Sequence, residues 1–215
     1  MNTSSRLIIV GAGSLARELA SWVKSGNGKP AGYAMAGFLS ADIQALAAYS
    51  QYQPGIISTV ADYTPAEGDL LVMGISAPRD KLRVAAELEA KGAQFLTFVH
   101  ASVIMADWVK IGRGAVICPN AVVSCHADIG DFTTINLGCT IGHDVKLGRG
   151  ATLCAHVDLT GFAIIGEGAF LGSHASILPR ANVGEYARVG AGSVVLRSVK
   201  AGATVMGVPA KQISP

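Results

Sequence analysis

From Val99 onward, an aliphatic residue or methionine recurs at every sixth position. The series is Val99, Met105, Ile111, Ile117, Val123, Ile129, Ile135, Ile141, Leu147, Leu153, Leu159, Ile165, Leu171, Ile177, Val183, Val189 and Val195, without a slip. Four residues after each one stands a small or branched residue, from Val103, Val109 and Ala115 through Cys139 and Val145 to Val199. Glycine often follows the aliphatic, as at Gly112, Gly130, Gly142, Gly148, Gly166, Gly172, Gly184 and Gly190. A period of six suits neither a helix nor a flat strand. It predicts a β-solenoid with three short faces per coil, the aliphatic pointing inward and glycine or a polar residue taking the corner, where positive φ is often needed. The series gives nearly six coils, stacked about 4.8 Å apart. After Val199 the segment RSVKAGATVMGVPAK leaves the register, and Gly207, Val208 and Pro209 predict a turn against the last coil.

Residues 1–98 have a different pattern. RLIIVGAG reads as a buried strand entering a glycine turn. SLARELASWVKSG follows with helical spacing, placing Leu15, Leu19, Trp22 and Val23 on one face, with Gly26 as the stop. AMAGFLS, DLLVMGIS and FLTFVH read as further strands, and RDKLRVAAELEAKGA as a helix with Leu82, Ala85, Ala86 and Leu88 inward. Strand–helix alternation predicts a small parallel sheet with right-handed crossovers. The expected organisation is therefore an α/β domain over 1–98 and a solenoid with a C-terminal cap over 99–215.

Composition narrows the function classes. Half of the 215 residues are hydrophobic, 15% are charged and 26 are glycine, which suits regular β-structure with tight corners. A net charge of +2 without a basic block gives no support for nucleic-acid binding. No uninterrupted apolar run reaches the length of a membrane helix, and MNTSSRLIIVGAG lacks the basic flank and cleavage site of a signal peptide. Cys118, Cys125, Cys139 and Cys154 form no C-x-x-C pair and read as small buried filler in a reducing cytosol.

Taken together, the unbroken hexads, INLGCTIGHDVKLG in one coil, IIVGAGSLAREL near the start and GVPAK at 207–211 resemble the left-handed β-helix (hexapeptide-repeat) acyltransferases. More narrowly, the chain resembles the bacterial sugar acetyltransferases with an N-terminal Rossmann-like nucleotide-sugar domain. These include the sialic-acid O-acetyltransferases and the N-acetyltransferases of nucleotide-linked amino-sugars. The resemblance implies a homotrimer with acetyl-CoA between neighbouring solenoids, a nucleotide-sugar acceptor held mainly by the N-terminal domain, a cytoplasmic setting, a histidine base at His143 and an acid at Asp144.

The pair has its own chemical logic. At an eighteen-residue repeat, His143 stacks over Cys125 and under Gly161, and Asp144 over His126 and under Phe162. His143 follows the inward Ile141 by two places, which predicts an outward imidazole at a corner. Acetyl transfer from a thioester needs a proton removed from the nucleophile, and imidazole titrates near working pH. A neighbouring carboxylate fixes its tautomer, and a backbone N–H such as that of Gly161 can meet the oxyanion. A solvated corner pair is the alternative. The resemblance also puts acetyl-CoA at Gly161, and at Thr152, where several relatives carry a second histidine. Asn136 is expected near this coil, where it would help to position the reactants. Lys200 and Lys211 are candidates for coenzyme A phosphates.

His156 and His174 lie eighteen apart and should stack. No two histidines have the His-x4-His spacing of the solenoid zinc enzymes, so no metal site is expected. GAGSLA has the G-x-G-x-x-A shape that can hold a phosphate at a helix N-terminus. GFLSAD lacks the early acid of an NAD site. Gly11, Gly13, Ser14, Gly74 and Ser76 are the candidate diphosphate and sugar contacts. Three readings remain open: nucleotide-amino-sugar N-acetyltransferase, sugar O-acetyltransferase of the sialic-acid type, and a non-catalytic trimeric scaffold.

Overall fold

A computed structural model describes residues 6–29 and 33–214; residues 1–5, on which part of the signal-peptide reading falls, lie outside that range. From Ile104 to Val199 the solenoid strands are two residues long, and each pairs in parallel with the strand one coil away. One face runs Val116, Thr134, Thr152, Phe170, Arg188 in register; a second runs Ile104, Val122, Thr140, Asp158, Ser176, Val194; the third runs Lys110, Asp128, Lys146, Ile164, Asn182. The hexad aliphatics from Ile117 to Val195 and their small partners, Ala115 through Ala187, fill the prism and are buried. Burying each such aliphatic contributes about 1.5–3 kcal/mol, so the repeat itself is the core.

The corners differ from expectation in one respect. Positive φ recurs every sixth residue from Trp108 to Gly192, between +54° and +68°. These residues lie three places after each aliphatic, not one. Five are glycine; the others include Asn120, His126, Asp144, Phe162 and Tyr186. The glycines directly after the aliphatic have no such φ; they sit where coils approach most closely. A Cβ on Gly148 would stand 2.5 Å from the backbone N of Glu167, and one on Gly142 2.8 Å from that of Gly161. Gly148→Ala should therefore cost about 1–3 kcal/mol. Gly192 has φ +66° and nothing within 4 Å of a built Cβ. Gly192→Asn, a residue at home in the left-handed region, should change stability by less than about 0.5 kcal/mol. Urea unfolding of both variants checks the contrast.

The register also breaks earlier than expected. Asn182 pairs with Ser198 and Arg188 with Thr204, each sixteen apart, so two residues are lost around Leu196–Arg197. Val199 thereby takes the inward aliphatic place opposite Val183. Thr204–Met206 continues the first face, and Lys211–Ser214 folds back on it antiparallel.

The N-terminal part corrects the expected Rossmann-like domain. Its elements are β1 (Arg6–Val10), α1 (Ser14–Lys24), β2 (Gly28–Lys29), β3 (Ala34–Leu39), β4 (Ile56–Ser58), β5 (Asp69–Met73), α2 (Pro78–Ala90), β6 (Gln94–Phe95) and β7 (Phe98–His100). Only two helices occur among the described residues, and neither is long and apolar enough to cross a membrane. A short parallel sheet of order β4-β3-β1-β5-β6 carries them. The links from β3 to β4 and from β4 to β5 contain no helix. From Asp42 to Tyr52 the backbone bonds run i to i−3, as at Ala45, Ala47, Tyr49 and Tyr52, which makes successive turns. The chain is thus a β-solenoid bearing a small helix-poor sheet, without a sheet wound on alternate helices.

FLTFVH, read as one strand, splits. β6 closes the small sheet, while β7 opens the first solenoid face and also pairs antiparallel with β2. The boundary expected after residue 98 falls inside β7. Phe98, Val116 and Cys118 pack in one core with Leu7, Ile9, Leu15 and Leu19. α2 buries Leu82, Ala85 and Leu88, but Ala86 faces out and Lys81 faces in.

Candidate active site

His143 and Asp144 sit at the corner after Thr140–Ile141. The inward Ile141 anchors the strand, and the left-handed Asp144 (φ +58°) turns the chain; aspartate is among the residues that accept this conformation. The imidazole points outward with 53% of its side chain exposed, and Nδ1 lies 2.9 Å from Asp144 Oδ2. With Nδ1–H donated to the carboxylate, Nε2 keeps a free lone pair. A Cβ on Gly161, one coil above, would stand 2.6 Å from His143 Nε2. Glycine there leaves the edge of the ring open. The Gly161 N–H has no acceptor among the described residues. The Phe162 ring packs edge-on to the imidazole, centroids 5.1 Å apart at 90°, and the Arg180 guanidinium lies 4.4 Å over Phe162.

The expected site residues divide into groups. His143, Asp144 and Gly161 meet at this corner. Asn136 stands at another, where its Oδ1 accepts the Leu137 N–H. Thr152 does not reach His143. It lies buried on the first face, where its hydroxyl donates to the Ser76 carbonyl at 2.7 Å and accepts from Lys81 at 2.9 Å. The acetyl-CoA contact expected at Thr152 is closed off by this packing. Lys200 and Lys211 are exposed near the end of the solenoid. His126 stacks on Trp108 (5.1 Å, 6°), and His156 on His174 (4.9 Å, 17°). His100 Nδ1 is bonded to Ser102 Oγ. Among the described residues no group of three or more His, Cys, Asp or Glu is placed to hold a metal.

A cleft of about 680 Å³ opens at the ends of β1, β3, β4 and β5 against α2. Of the five residues expected there, only Gly11 lines it, with φ +100°. Gly13 caps α1 and Ser14 begins it, both exposed. Gly74 is buried, with Ala16 and the Val10 carbonyl where a side chain would stand. Ser76 is tied by its carbonyl to Thr152. The polar wall is instead Ser40, Thr59, Asp80, Arg83 and Glu87. Sequence reading missed these residues, although Asp80, Arg83 and Glu87 recur at helical spacing on α2.

Residues 162–197 match the family described as bacterial transferase hexapeptide (six repeats). That stretch lies within the later coils of the solenoid. Among solved structures it is similar over 97% of both chains to PerB of Caulobacter crescentus, at 25% identity and TM-score 0.85, a structure in complex with CoA and GDP-perosamine. It shares its fold with the acetyltransferase domain of PglB from Neisseria gonorrhoeae in complex with acetyl coenzyme A, at 24% identity and TM-score 0.86, covering 98% of this chain and 100% of that one. It also shares it with WeeI from Acinetobacter baumannii, at 24% identity and TM-score 0.82, covering 97% and 100%. The chain is an acyltransferase. A comparison with curated proteins gives no match.

Proposed function

We propose that this chain transfers an acetyl group from acetyl-CoA to the amine of a nucleotide-linked amino-sugar, with His143 as general base. The reading rests chiefly on the 2.9 Å contact of His143 Nδ1 with Asp144 Oδ2 beneath Gly161. Nε2 removes the proton from the acceptor nitrogen as its lone pair attacks the thioester carbonyl. The carbonyl becomes a tetrahedral oxyanion, to which the Gly161 N–H donates. Collapse forms the amide and expels the thiolate, which takes the proton back from the imidazolium. Asp144 keeps the ring in the required tautomer and balances its transient charge. PerB, solved with CoA and GDP-perosamine, supports both substrates by likeness.

The acceptor nucleotide belongs in the cleft at Gly11, so residues 1–98 form the acceptor-binding part and 99–215 the acyl-transfer part. Lys200 and Lys211 remain available to coenzyme A phosphates. Exposed Ile104 and Val122, neighbours on one solenoid face, favour a homotrimer. The four free cysteines suit a cytoplasmic setting.

The test is a panel of nucleotide sugars with acetyl-CoA, following free thiol. A nucleotide amino-sugar should release thiol at least tenfold faster than its hydroxyl counterpart. Reaction of hydroxyl acceptors alone would convert the reading to O-acetyl transfer, and no release with any acceptor would leave a scaffold.

A further inference from the structure

A second, smaller pocket of about 230 Å³ lies between the first turn of α2 and the first solenoid face. It is apart from the His143 corner and shares only Asp80 with the cleft. Arg79 and Arg188 both line it. Each guanidinium is laid against an aromatic ring: Arg79 is 4.4 Å over Tyr186, and Arg188 is 5.1 Å from the Phe170 centroid. Tyr186 is fixed in turn by donating to Glu167 Oε1 at 2.7 Å and by lying over Gly168, where any Cβ would strike its ring.

The charges around the pocket are unbalanced. Arg83 takes Asp80, Arg113 takes Glu89 and Asp131, and Arg149 also reaches Glu89. Arg79 and Arg188 have no carboxylate within ion-pair distance among the described residues. Asp80 lines the pocket but is paired with Arg83, and Glu167 is engaged by the Tyr186 hydroxyl. Two like charges share one small concavity, each held in plane by a ring, with the N–H edges left to bind. A guanidinium fork matches two oxygens of a phosphate, and the positive end of α2 adds to the same field.

We propose that the Arg79–Arg188 pocket is a phosphate-binding subsite. Its ligand is a phosphate group at the end of a larger molecule, and that chemistry has two sources: the 3′-phosphate of coenzyme A or the phosphates of a nucleotide. Inorganic phosphate tests the site independently of the acetyl-transfer reading.

Calorimetric titration of the full chain with inorganic phosphate, CoA, 3′-dephospho-CoA and GDP is compared for the wild type, Arg79→Gln, Arg188→Gln and the double variant. Affinity for inorganic phosphate should fall about tenfold with each arginine removed. Loss with CoA but not with 3′-dephospho-CoA assigns the site to the coenzyme. Loss with GDP assigns it to the nucleotide. Arg188→Lys, which keeps charge without the fork, should recover only part of the affinity, and unchanged unfolding temperatures exclude misfolding as the cause. Wild-type affinity of the double variant for all four ligands would overturn the proposal.

Discussion

His143→Ala should lower the rate of acetyl transfer by about 10²–10⁴-fold while the fold persists. The imidazole is half exposed and contributes nothing to the prism interior, so stability should change by less than about 1 kcal/mol. Asp144→Asn keeps a residue suited to the left-handed turn (φ +58°) but supplies an amide that can present N–H to Nδ1. That favours the tautomer with its proton on Nε2, which cannot accept the nucleophile's proton. A loss of about 10–100-fold in kcat with little change in KM is expected, smaller than for His143 because this carboxylate is partly solvated. Steady-state thiol release across pH 5–9 measures both. Retention of rate within threefold in His143→Ala would remove the imidazole from the chemistry.

The solenoid and its corner pair were legible because a six-residue repeat is a strong geometric constraint. Once Ile141 points inward, the place of His143 on the corner follows by counting, as does Gly161 one coil above. Counting failed where the period fails: the loss of two residues near Leu196 leaves no mark in the hydrophobic pattern, since Val195 and Val199 are both aliphatic. It also misjudged the glycines after each aliphatic, because a tight approach of coils and a left-handed turn both favour glycine. In the N-terminal part, strands and helices were visible from local pattern, but the links between them were not. The pattern assigns no element to 42–52, and the expected Rossmann-like winding came from the strand–helix alternation on either side and from the family resemblance. Gly11 of the glycine loop lines the cleft, but most of its charged wall comes from α2, whose inner stripe alone the hydrophobic pattern marks.

Lys81 is the clearest case of a role hidden from sequence, and it carries the last prediction. It sits at helical spacing with Val84, Ala85 and Leu88, on the face that α2 turns to the solenoid. Its side chain is fully buried, with Nζ 2.9 Å from both Thr134 Oγ1 and Thr152 Oγ1 and 3.4 Å from the Ala151 carbonyl, and no carboxylate is bonded to it. Burial lowers its pKa from 10.5 to about 7. Between those values the unfolded chain holds a proton that the folded chain has lost, so stability rises with pH above 7. Cys118 and Cys139 act in the opposite sense. Burial raises both thiols, Cys139 to about 11, so above pH 9 the unfolded chain loses protons that the folded chain keeps, and stability falls. The stability maximum is therefore expected near pH 9, about 2 kcal/mol above the value at pH 7. Lys81→Met keeps the apolar stem and removes the titration; its urea-unfolding free energy should show no rise from pH 7 to 9. A wild-type profile with no more rise than that of Lys81→Met would show that Lys81 keeps its proton in the fold. Because α2 carries Asp80, Arg83 and Glu87 into the cleft, the same buried amine fixes that wall to the solenoid, and under the proposed function Lys81→Ala should weaken acceptor binding as well as stability.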